Sequence, residues 1–246
     1  AMKNADKVVG QHFAWFRPIK VVVQYGEPVY PAQLSDEEKK HLPFNEVYRT
    51  IAELPAKSPA CIIFTSGTTH SINLLAYSFG EAFVGEGEEV IVTEAEHHSN
   101  IVPWQMMCQR RKAVLKVLPV DDRGYLMVER LQELITEKTR IMAVTQISNV
   151  LGLVNPVKEI IAECHAKGAA VLVDGAQGVV HCKVDVQDMD CDFYVFSGHK
   201  MYAATGTGVL YGKRKWLDAM PPYMGGGEMV GTVSFAETTY APLPMK

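Results

Sequence analysis

The chain has 246 residues, of which 48% are hydrophobic and 21% charged, and its formal net charge is -4. These values are ordinary for a globular protein, and a chain of this length can bury a substantial core without disulfides or metal ions. The small acidic excess, 28 acidic against 24 basic residues, argues against partners recognised through positive charge, such as nucleic acids or anionic membranes.

The cysteine pattern predicts a reducing environment. The cysteines are odd in number and form no C-x-x-C pair, which is untypical of a disulfide framework. They are Cys61, Cys108, Cys164, Cys182 and Cys191. The first residues lack the apolar stretch of a signal peptide, and apolar runs such as 169–173 are too short to span a bilayer. We therefore expect a cytoplasmic protein.

In chain order, residues 1–43 have no clear pattern and are treated as a poorly defined N-terminal segment, whereas residues 44–246 form one large domain. Residues 44–54 have apolar side chains at helical spacing and end at Pro55. Beyond them, apolar runs typical of strands alternate with patterns typical of amphipathic helices. Strands are predicted at 61–65, 89–92, 114–119, 140–145, 169–173, 193–196 and 208–211, and helices at 68–84, 100–111, 128–135 and 156–167.

This alternation predicts an α/β fold in which a mostly parallel, seven-stranded sheet lies between helices. Ligands bind such sheets at the carboxyl ends of the strands. The residues of any functional site should therefore follow directly after strands. Polar residues gather at five such positions in this sequence.

The first two clusters follow the strands at 61–65 and 89–92. Residues 65–69 (TSGTT) combine hydroxyl groups with a glycine turn before a helix, a setting that suits a phosphate group. Residues 96–100 (EHHSN) offer an imidazole that can stack on an aromatic ring, and they lack the histidine spacing of metal sites. Each cluster by itself is better explained as a polar helix cap.

The third and fourth clusters contain Asn149 and Asp174. Asn149 follows the strand at 140–145 and can donate to a ligand oxygen, although a turn asparagine has the same pattern. Asp174 ends a very apolar strand, so its carboxylate needs a charged or donating partner. A protonated pyridine nitrogen, a magnesium ion and the N-terminus of the next helix are the three candidate partners.

The fifth cluster, residues 196–200 (FSGHK), places Lys200 directly after a buried strand. A neutral amine in this position can form a Schiff base, whereas the ordinary alternative is a lysine that extends from a strand end to solvent. Together the five clusters supply hydroxyls, an imidazole, an amide, a carboxylate and an amine. This is the set of groups that binds pyridoxal 5'-phosphate (PLP).

Five strings carry a resemblance to a known family. They are residues 96–105 (EHHSNIVPWQ), 148–152 (SNVLG), 173–177 (VDGAQ), 192–200 (DFYVFSGHK) and 225–229 (GGGEM). From about residue 61 to 246 the chain resembles the fold-type I PLP-dependent transferases of the class V aminotransferase group. It is most similar to the SufS-type (group II) cysteine desulfurases, which are also called selenocysteine lyase-like. The resemblance implies that residues 44–246 are a PLP-binding large domain.

The resemblance also implies a role for each matched residue. The catalytic residues would be Lys200, which holds the cofactor as a Schiff base and moves protons, and His97, which stacks on the ring; His98 is less favoured. Asp174 would pair with the pyridinium nitrogen. Gln177 would contact the phenolic oxygen, with Asn149 close to it or to the substrate. The phosphate would be held by Thr68, Thr69, Ser197 and His199. No metal ion is implied.

The implied reaction converts L-cysteine into L-alanine and leaves the sulfur on the enzyme as a persulfide, for iron–sulfur cluster assembly; L-selenocysteine is the alternative substrate. Such enzymes form homodimers and pass sulfur to an acceptor protein. The family continues well beyond the matched part, through a C-terminal small domain and the cysteine that accepts the sulfur. We therefore expect this chain to be a fragment that lacks both.

Two other functions are compatible with some of these residues. One is a catalytically silent protein with the PLP-enzyme fold, which binds a cofactor or a partner but transfers no sulfur. The other is a nucleotide-binding α/β protein that uses Asp174 for a metal ion, but the G-x-x-x-x-G-K-[ST] loop is missing.

Two departures from the family pattern lie near the expected site. Residues 202–206 are YAATG where the family has Tyr-Gly-Pro-Thr-Gly, so a positive φ at Ala203 would strain the loop beside Lys200. His70 replaces a usual acidic residue at the start of a helix, which removes a favourable interaction with the helix dipole.

Overall fold

The computed structural model describes residues 61–227 and 229–241. The N-terminal segment 1–43 and the helix predicted at 44–54 lie outside the described residues. Glu228 and residues 242–246 lie outside them as well.

Seven strands form one sheet in the order β1-β7-β6-β5-β4-β2-β3. The strands are β1 Ile62–Thr65, β2 Glu89–Thr93, β3 Val114–Leu118, β4 Thr139–Thr145, β5 Ala170–Asp174, β6 Phe193–Ser197 and β7 Gly208–Gly212. β7 is antiparallel to both of its neighbours, and all other neighbouring pairs are parallel. The mostly parallel seven-stranded sheet predicted from the sequence is therefore confirmed.

Helices connect these strands. The α-helices are α1 Thr68–Phe83, α2 Val102–Arg111, α3 Leu131–Leu134, α4 Val157–Ala166, α5 Gly178–His181, α6 Val186–Met189 and α7 Arg214–Ala219. Two predicted helices begin with separate 3₁₀ turns, His98–Asn100 before α2 and Val128–Arg130 before α3. The sequence analysis missed α5, α6 and α7, because helices of four to six residues are too short to show a helical period.

The sheet is buried on both faces. On one face α3 and α4 pack against it through residues such as Leu131 and Ile160. On the other face α1 and α2 pack against it, with Phe79 and Trp104 among the largest fully buried side chains. All five residues of β5 are buried, which explains why this strand has a continuous apolar run rather than an alternating one.

The order in which the chain adds strands to the sheet reverses between β2 and β4. From β2 it moves outward through α2 to β3, and from β4 it moves the opposite way through α4 to β5. α2 and α4 belong to the apolar clusters on opposite faces of the sheet. The β2–β4 pairing itself ends at Ile91 and Met142. A crevice therefore opens here at the carboxyl ends, where ligands bind in such sheets.

A separate two-stranded hairpin follows the sheet. It consists of β8 Val230–Val233 and β9 Thr238–Tyr240, with Phe235 fully exposed at its tip. Within residues 61–227 and 229–241, no helix has the length and apolar character needed to cross a membrane.

Candidate active site

The five polar clusters lie at one edge of the sheet. β1 and β6 are each antiparallel to β7, so they run in the same direction, and their last residues, Thr65 and Ser197, both pair with Gly208. β2, β4 and β5 run parallel to β6 through the intervening pairs. The carboxyl ends of all five strands therefore meet at one edge, as the sequence analysis expected.

Thr68 and Ser197 come together at one end of this edge. The Thr68 N–H donates to Oγ of Ser197 over 2.8 Å, and the two hydroxyl oxygens are also 2.8 Å apart. Both residues are buried. The approach depends on glycine, because a Cβ on Gly208 would lie 2.4 Å from the Cα of Gly67. Gly67 itself has a φ of 152°, which L side chains rarely adopt.

The N-terminus of α1 opens into the same place. Gly67 provides no side-chain cap, and the first turn contains no acidic residue. The free N–H groups and the positive end of the helix dipole favour an anion such as a phosphate. Thr69 is exposed on this turn, and His199 is exposed on the neighbouring turn after β6. His70 lies beside them, with Nδ1 3.1 Å from Oγ of Ser66.

Asp174 is 3% exposed at the end of β5. Burial raises the pKa of its carboxyl group, whereas the hydrogen bond from the Ala176 N–H and the nearby Lys200 and His97 act in the opposite direction. Oδ1 accepts the Ala176 N–H over 2.9 Å. Among the residues that the structure describes, no donor reaches Oδ2. This oxygen, in a residue that is only 3% exposed, is therefore available to a cationic N–H donor.

Lys200 lies in a 3₁₀ turn, Gly198–Met201, directly after β6. The Gly198 N–H donates to the carbonyl of Thr207 over 2.9 Å, and a Cβ on Gly198 would lie 2.3 Å from Oγ1 of Thr207. The turn ends at Tyr202 with a φ of 61°. The strain considered for Ala203 is therefore absent, because Tyr202 adopts the positive φ and Ala203 does not.

His97 is exposed at the mouth of the crevice. Its Nδ1 accepts the Ser99 N–H over 3.1 Å and lies 2.7 Å from the Ser99 hydroxyl. Because Nδ1 is an acceptor, Nε2 carries the ring proton. The ring of His98 is tilted by 46°, with its centroid 5.9 Å from that of His97.

Asn149 and Gln177 complete the set of predicted residues. Asn149 is exposed in the loop after β4, and Gln177 is half-buried at the start of α5. Neither side chain hydrogen-bonds to another residue of the described part of the chain. All nine predicted cofactor-binding residues thus lie at the same edge, on the last residues of strands, on the first turn of α1 or on the segments that follow the strands, although the contacts between them are few.

Comparison with known proteins places this geometry in a family. The model of the family described as aminotransferase class-V matches residues 34–246. The chain belongs to the aminotransferase class-V family. Class-V aminotransferases are PLP-dependent enzymes, which agrees with the cofactor expected from the sequence.

Curated relatives of this chain are named cysteine desulfurase. The protein from Enterobacter sp. (strain 638) is 55% identical over 196 residues, which cover 79% of this chain and 48% of the relative. The protein from Escherichia coli O8 (strain IAI1) is 52% identical over 245 residues, which cover 99% of this chain and 59% of the relative. The chain therefore spans about half the length of the curated relatives that it matches.

Solved structures agree. The cysteine desulfurase CsdA from Escherichia coli superposes with a TM-score of 0.77 at 42% identity, over 89% of this chain and 55% of that one. An apo cysteine desulfurase from Thermococcus onnurineus NA1 superposes with a TM-score of 0.74 at 31% identity, over 82% and 50% of the two chains. The fold-type I architecture expected from the sequence is confirmed.

Three buried polar residues of the chain were not given a role from the sequence. Glu96, Gln146 and Tyr194 lie beneath the site and are at most 9% exposed. The available signal was a polar residue just after a strand, and this applies to Glu96 and Gln146. Tyr194 has no such signal because it lies within β6, and only its hydrogen bond to Gln146 reveals it.

The donor set fits PLP better than a metal ion. Within residues 61–227 and 229–241, no group of three or more His, Cys, Asp or Glu side chains is arranged to hold a metal ion. By contrast, Oδ2 of Asp174, which accepts no hydrogen bond from the described residues, suits a protonated ring nitrogen, and the uncapped α1 N-terminus suits a phosphate.

Proposed function

We propose that this class-V aminotransferase domain is the cofactor-binding part of a PLP-dependent cysteine desulfurase. The observation that carries the proposal is the buried carboxylate of Asp174, which lies within electrostatic reach of both Lys200 and His97 at the carboxyl ends of the strands. The relatives named cysteine desulfurase, at 52–55% identity, support the choice of L-cysteine as the substrate. L-Selenocysteine is the alternative substrate, and a group II assignment is part of the proposal.

Asp174 would bind the ring nitrogen of the cofactor, and Lys200 would hold the cofactor through its amine. Oδ2 of Asp174 would accept the N–H of the cofactor ring nitrogen, and burial strengthens this interaction because water cannot compete for it. Nζ of Lys200 would hold the cofactor and then move a proton between the substrate carbon atoms. When bound, PLP supplies an electron sink that lowers the barrier to breaking bonds at the substrate α-carbon.

The phosphate would be anchored at the other end of the edge. Thr68 and Ser197 already form a hydroxyl pair there, beside the uncapped N-terminus of α1. Thr69 and His199 are exposed on the two adjoining turns and complete the anchor. His97 would stack on the ring, Gln177 would donate to its phenolic oxygen, and Asn149 would orient the substrate or the same oxygen.

The thiol that takes up the sulfur is proposed to lie outside this sequence. Burial raises the pKa of Cys108 to about 11, and it raises the pKa of Cys164 and of Cys191 to about 12. These thiols are poor nucleophiles, because the thiolate is the reactive form. Cys61 lies at the amino end of β1, away from the site, and Cys182 follows α5. In the full reaction a thiolate would take the sulfur atom from L-cysteine, and the rest of the substrate would leave as L-alanine.

The wider setting follows from the same proposal. A homodimer and a sulfur-acceptor protein for iron–sulfur cluster assembly are proposed from the resemblance to desulfurases. A cytoplasmic location is proposed because all five cysteines are free. The alternative function, a silent PLP-fold protein, is favoured by one observation, the burial and raised pKa values of Cys108, Cys164 and Cys191.

An absorption titration with PLP tests the proposal. The wild-type protein should develop a band at the visible edge that borohydride removes, and Lys200→Ala should not. Lys138→Ala, which removes an exposed lysine at the amino end of β4, is the matched control and should behave like the wild type. A band that persists in Lys200→Ala contradicts the assignment of this lysine.

A second measurement separates the two functions. Full-length protein that binds PLP should release L-alanine from L-cysteine in the presence of a reductant. Binding of PLP without release of L-alanine would identify the silent protein. A folded wild-type protein that does not bind PLP would reject the desulfurase and leave a silent protein that binds a partner.

A further inference from the structure

Glu96 lies at the β2–β4 crevice and uses both carboxyl oxygens. Oε1 accepts the Thr93 hydroxyl over 2.7 Å and the Thr145 N–H over 2.8 Å. Oε2 accepts Nδ2 of Asn100 over 2.6 Å. No described lysine, arginine or histidine forms an ion pair with Glu96. This buried carboxyl group is therefore held by hydrogen bonds alone.

The contact with Thr145 bridges the crevice. The backbone pairing of β2 with β4 ends at Ile91 and Met142, so the two strands separate before their carboxyl ends. Past that point the N–H of Thr145, the last residue of β4, is satisfied by the Glu96 carboxyl group instead of a strand carbonyl. A side chain thus replaces the missing ladder hydrogen bond where the cofactor would bind.

The contact with Asn100 holds the other side of the loop. Oδ1 of Asn100 accepts Nε1 of Trp104, which is fully buried in α2, over 3.2 Å. The Asn100 N–H donates to the carbonyl of His97 over 2.7 Å. His97 follows Glu96 directly, so its backbone is fixed on one side by Glu96 and on the other by Asn100.

The setting of Glu96 is electrostatically unfavourable. Burial raises the pKa of its carboxyl group to about 8, and the nearby Asp174 adds to this rise. The three hydrogen bonds counteract only part of it. Glu89, at the amino end of β2, has a cation beside it, since a carboxyl oxygen lies 2.8 Å from Nζ of Lys116, whereas Glu96 has none among the described residues.

We propose that Glu96 is a positioning residue, which holds the His97 loop against the end of β4 so that the imidazole is in place to stack on the cofactor. The proposal rests on the proposed role of His97. Glu96 itself does not touch the cofactor.

A double-mutant cycle with PLP as the ligand tests this relationship. We expect Glu96→Ala and His97→Ala each to raise the Kd for PLP by on the order of tenfold, the scale of one lost aromatic contact. The double variant should be no weaker than His97→Ala, because Glu96 acts through His97. Two independent losses that multiply to about a hundredfold would overturn the proposal.

A conservative exchange provides the rescue. In Glu96→Gln the new amide nitrogen faces Nδ2 of Asn100, so two donors oppose each other. Adding Asn100→Asp turns the second group into an acceptor, which can also receive Nε1 of Trp104. We expect Glu96→Gln to weaken PLP binding and the pair of changes to restore it to within about twofold. Failure of the rescue would count against positioning.

Glu89→Ala is the matched control, because Glu89 is a glutamate with the same small exposed fraction of the residue, at the amino end of β2 and away from the His97 loop. Its carboxyl group accepts the hydroxyls of Thr136 and Thr139. The control should lower stability and leave the Kd for PLP unchanged. If it weakens PLP binding as much as Glu96→Ala does, Glu96 is merely structural.

Hydrogen exchange in the cofactor-free protein gives a readout that does not depend on PLP. Exchange of the Asn100 N–H should accelerate at least tenfold in Glu96→Gln, recover when Asn100→Asp is added, and remain unchanged in Glu89→Ala. Unchanged exchange in Glu96→Gln overturns the proposal even if the wild type fails to bind PLP. That failure would reject the proposed function separately.

Discussion

The Tyr194 hydroxyl donates a 2.6 Å hydrogen bond to Oε1 of Gln146, directly beneath the turn that carries Asp174. Both side chains are buried, and both fill space that a larger residue in the turn would need. A Cβ on Gly175 would lie 1.9 Å from Cζ of Tyr194, and a Cβ on Gly178 would lie 1.9 Å from Oε1 of Gln146. The pair therefore requires glycine at both ends of the turn.

The first prediction concerns these two glycines. Gly175→Ala and Gly178→Ala should each lower the free energy of unfolding by about 1–3 kcal/mol, because a close-packed core cannot absorb the added methyl group. Gly226→Ala is the control, since nothing lies within 4 Å of its Cβ position. Urea denaturation measures all three variants. Equal stability of Gly175→Ala and Gly226→Ala would show that the turn can relax.

The second prediction concerns two buried serines of α1. Ser71 pairs its hydroxyl with that of Thr65 at 2.8 Å, whereas the hydroxyl of Ser78 has no partner in the described part of the chain. Ser71→Ala should cost about 1 kcal/mol of stability, and Ser78→Ala should be neutral or stabilising by up to about 1 kcal/mol. Denaturant midpoints compare the two. If Ser78→Ala instead lowers stability by more than about 1 kcal/mol, the Ser78 hydroxyl has a hydrogen-bond partner in the folded protein.

The third prediction concerns the pH dependence of stability at Asp192. Its side chain is 1% exposed. Burial raises the pKa of this carboxyl group, but hydrogen bonds from Trp216, His165 and the Val171 N–H outweigh burial and hold the pKa below its usual value. Because the pKa is lower in the folded than in the unfolded state, Asp192 stabilises the fold above about pH 4. This stabilisation is lost as the pH falls through the folded pKa.

Asp192→Asn should therefore cost about 1.5–3 kcal/mol at neutral pH, the scale of hydrogen bonds to a charged group. The difference from the wild type should shrink below about pH 4. Asp190→Asn is the control, because its side chain is 64% exposed and exposed ion pairs contribute at most about 1 kcal/mol. A stability difference between Asp192→Asn and the wild type that is constant with pH would contradict the lowered pKa of Asp192.

The fourth prediction separates Tyr202 from Ala203 beside Lys200. Tyr202 has a φ of 61°, a conformation that costs a side chain about 1–2 kcal/mol. Tyr202→Gly should therefore stabilise the cofactor-free protein by about 0.5–1 kcal/mol after allowing for the flexibility of glycine. Ala203→Gly should destabilise it by about 0.4–1 kcal/mol, because no strain is relieved there. Thermal unfolding measures the stability of both variants. If Ala203→Gly is stabilising and Tyr202→Gly is destabilising, the strained residue is Ala203.

Local patterns determined most of the architecture. The apolar run that ends at Asp174 predicted β5, and the helical spacing of Ile72 and Phe79 predicted α1, to within one or two residues at most ends. α1 is long and periodic and β5 is a continuous apolar run, so the pattern of burial alone specifies both. The short helix Gly178–His181 is formed by a turn over the Gln146–Tyr194 pair, and no period within four residues can show this.

The sequence also predicts the chemical character of the proposed site, because ligands of such sheets meet residues that follow directly after strands. Asp174 and Lys200 were identified in this way, and the tertiary structure adds that they lie within electrostatic reach of one another.

Only the tertiary structure decided which polar groups support the site. Glu96 and Thr145 are 49 residues apart, and Thr68 and Ser197 are 129 residues apart. Their pairing depends on strand order, on where the β2–β4 ladder ends, and on two glycine backbones that approach closely at Gly67 and Gly208. Sequence patterns report local geometry and average burial. Contacts between distant strand ends depend on the order and register of the whole sheet.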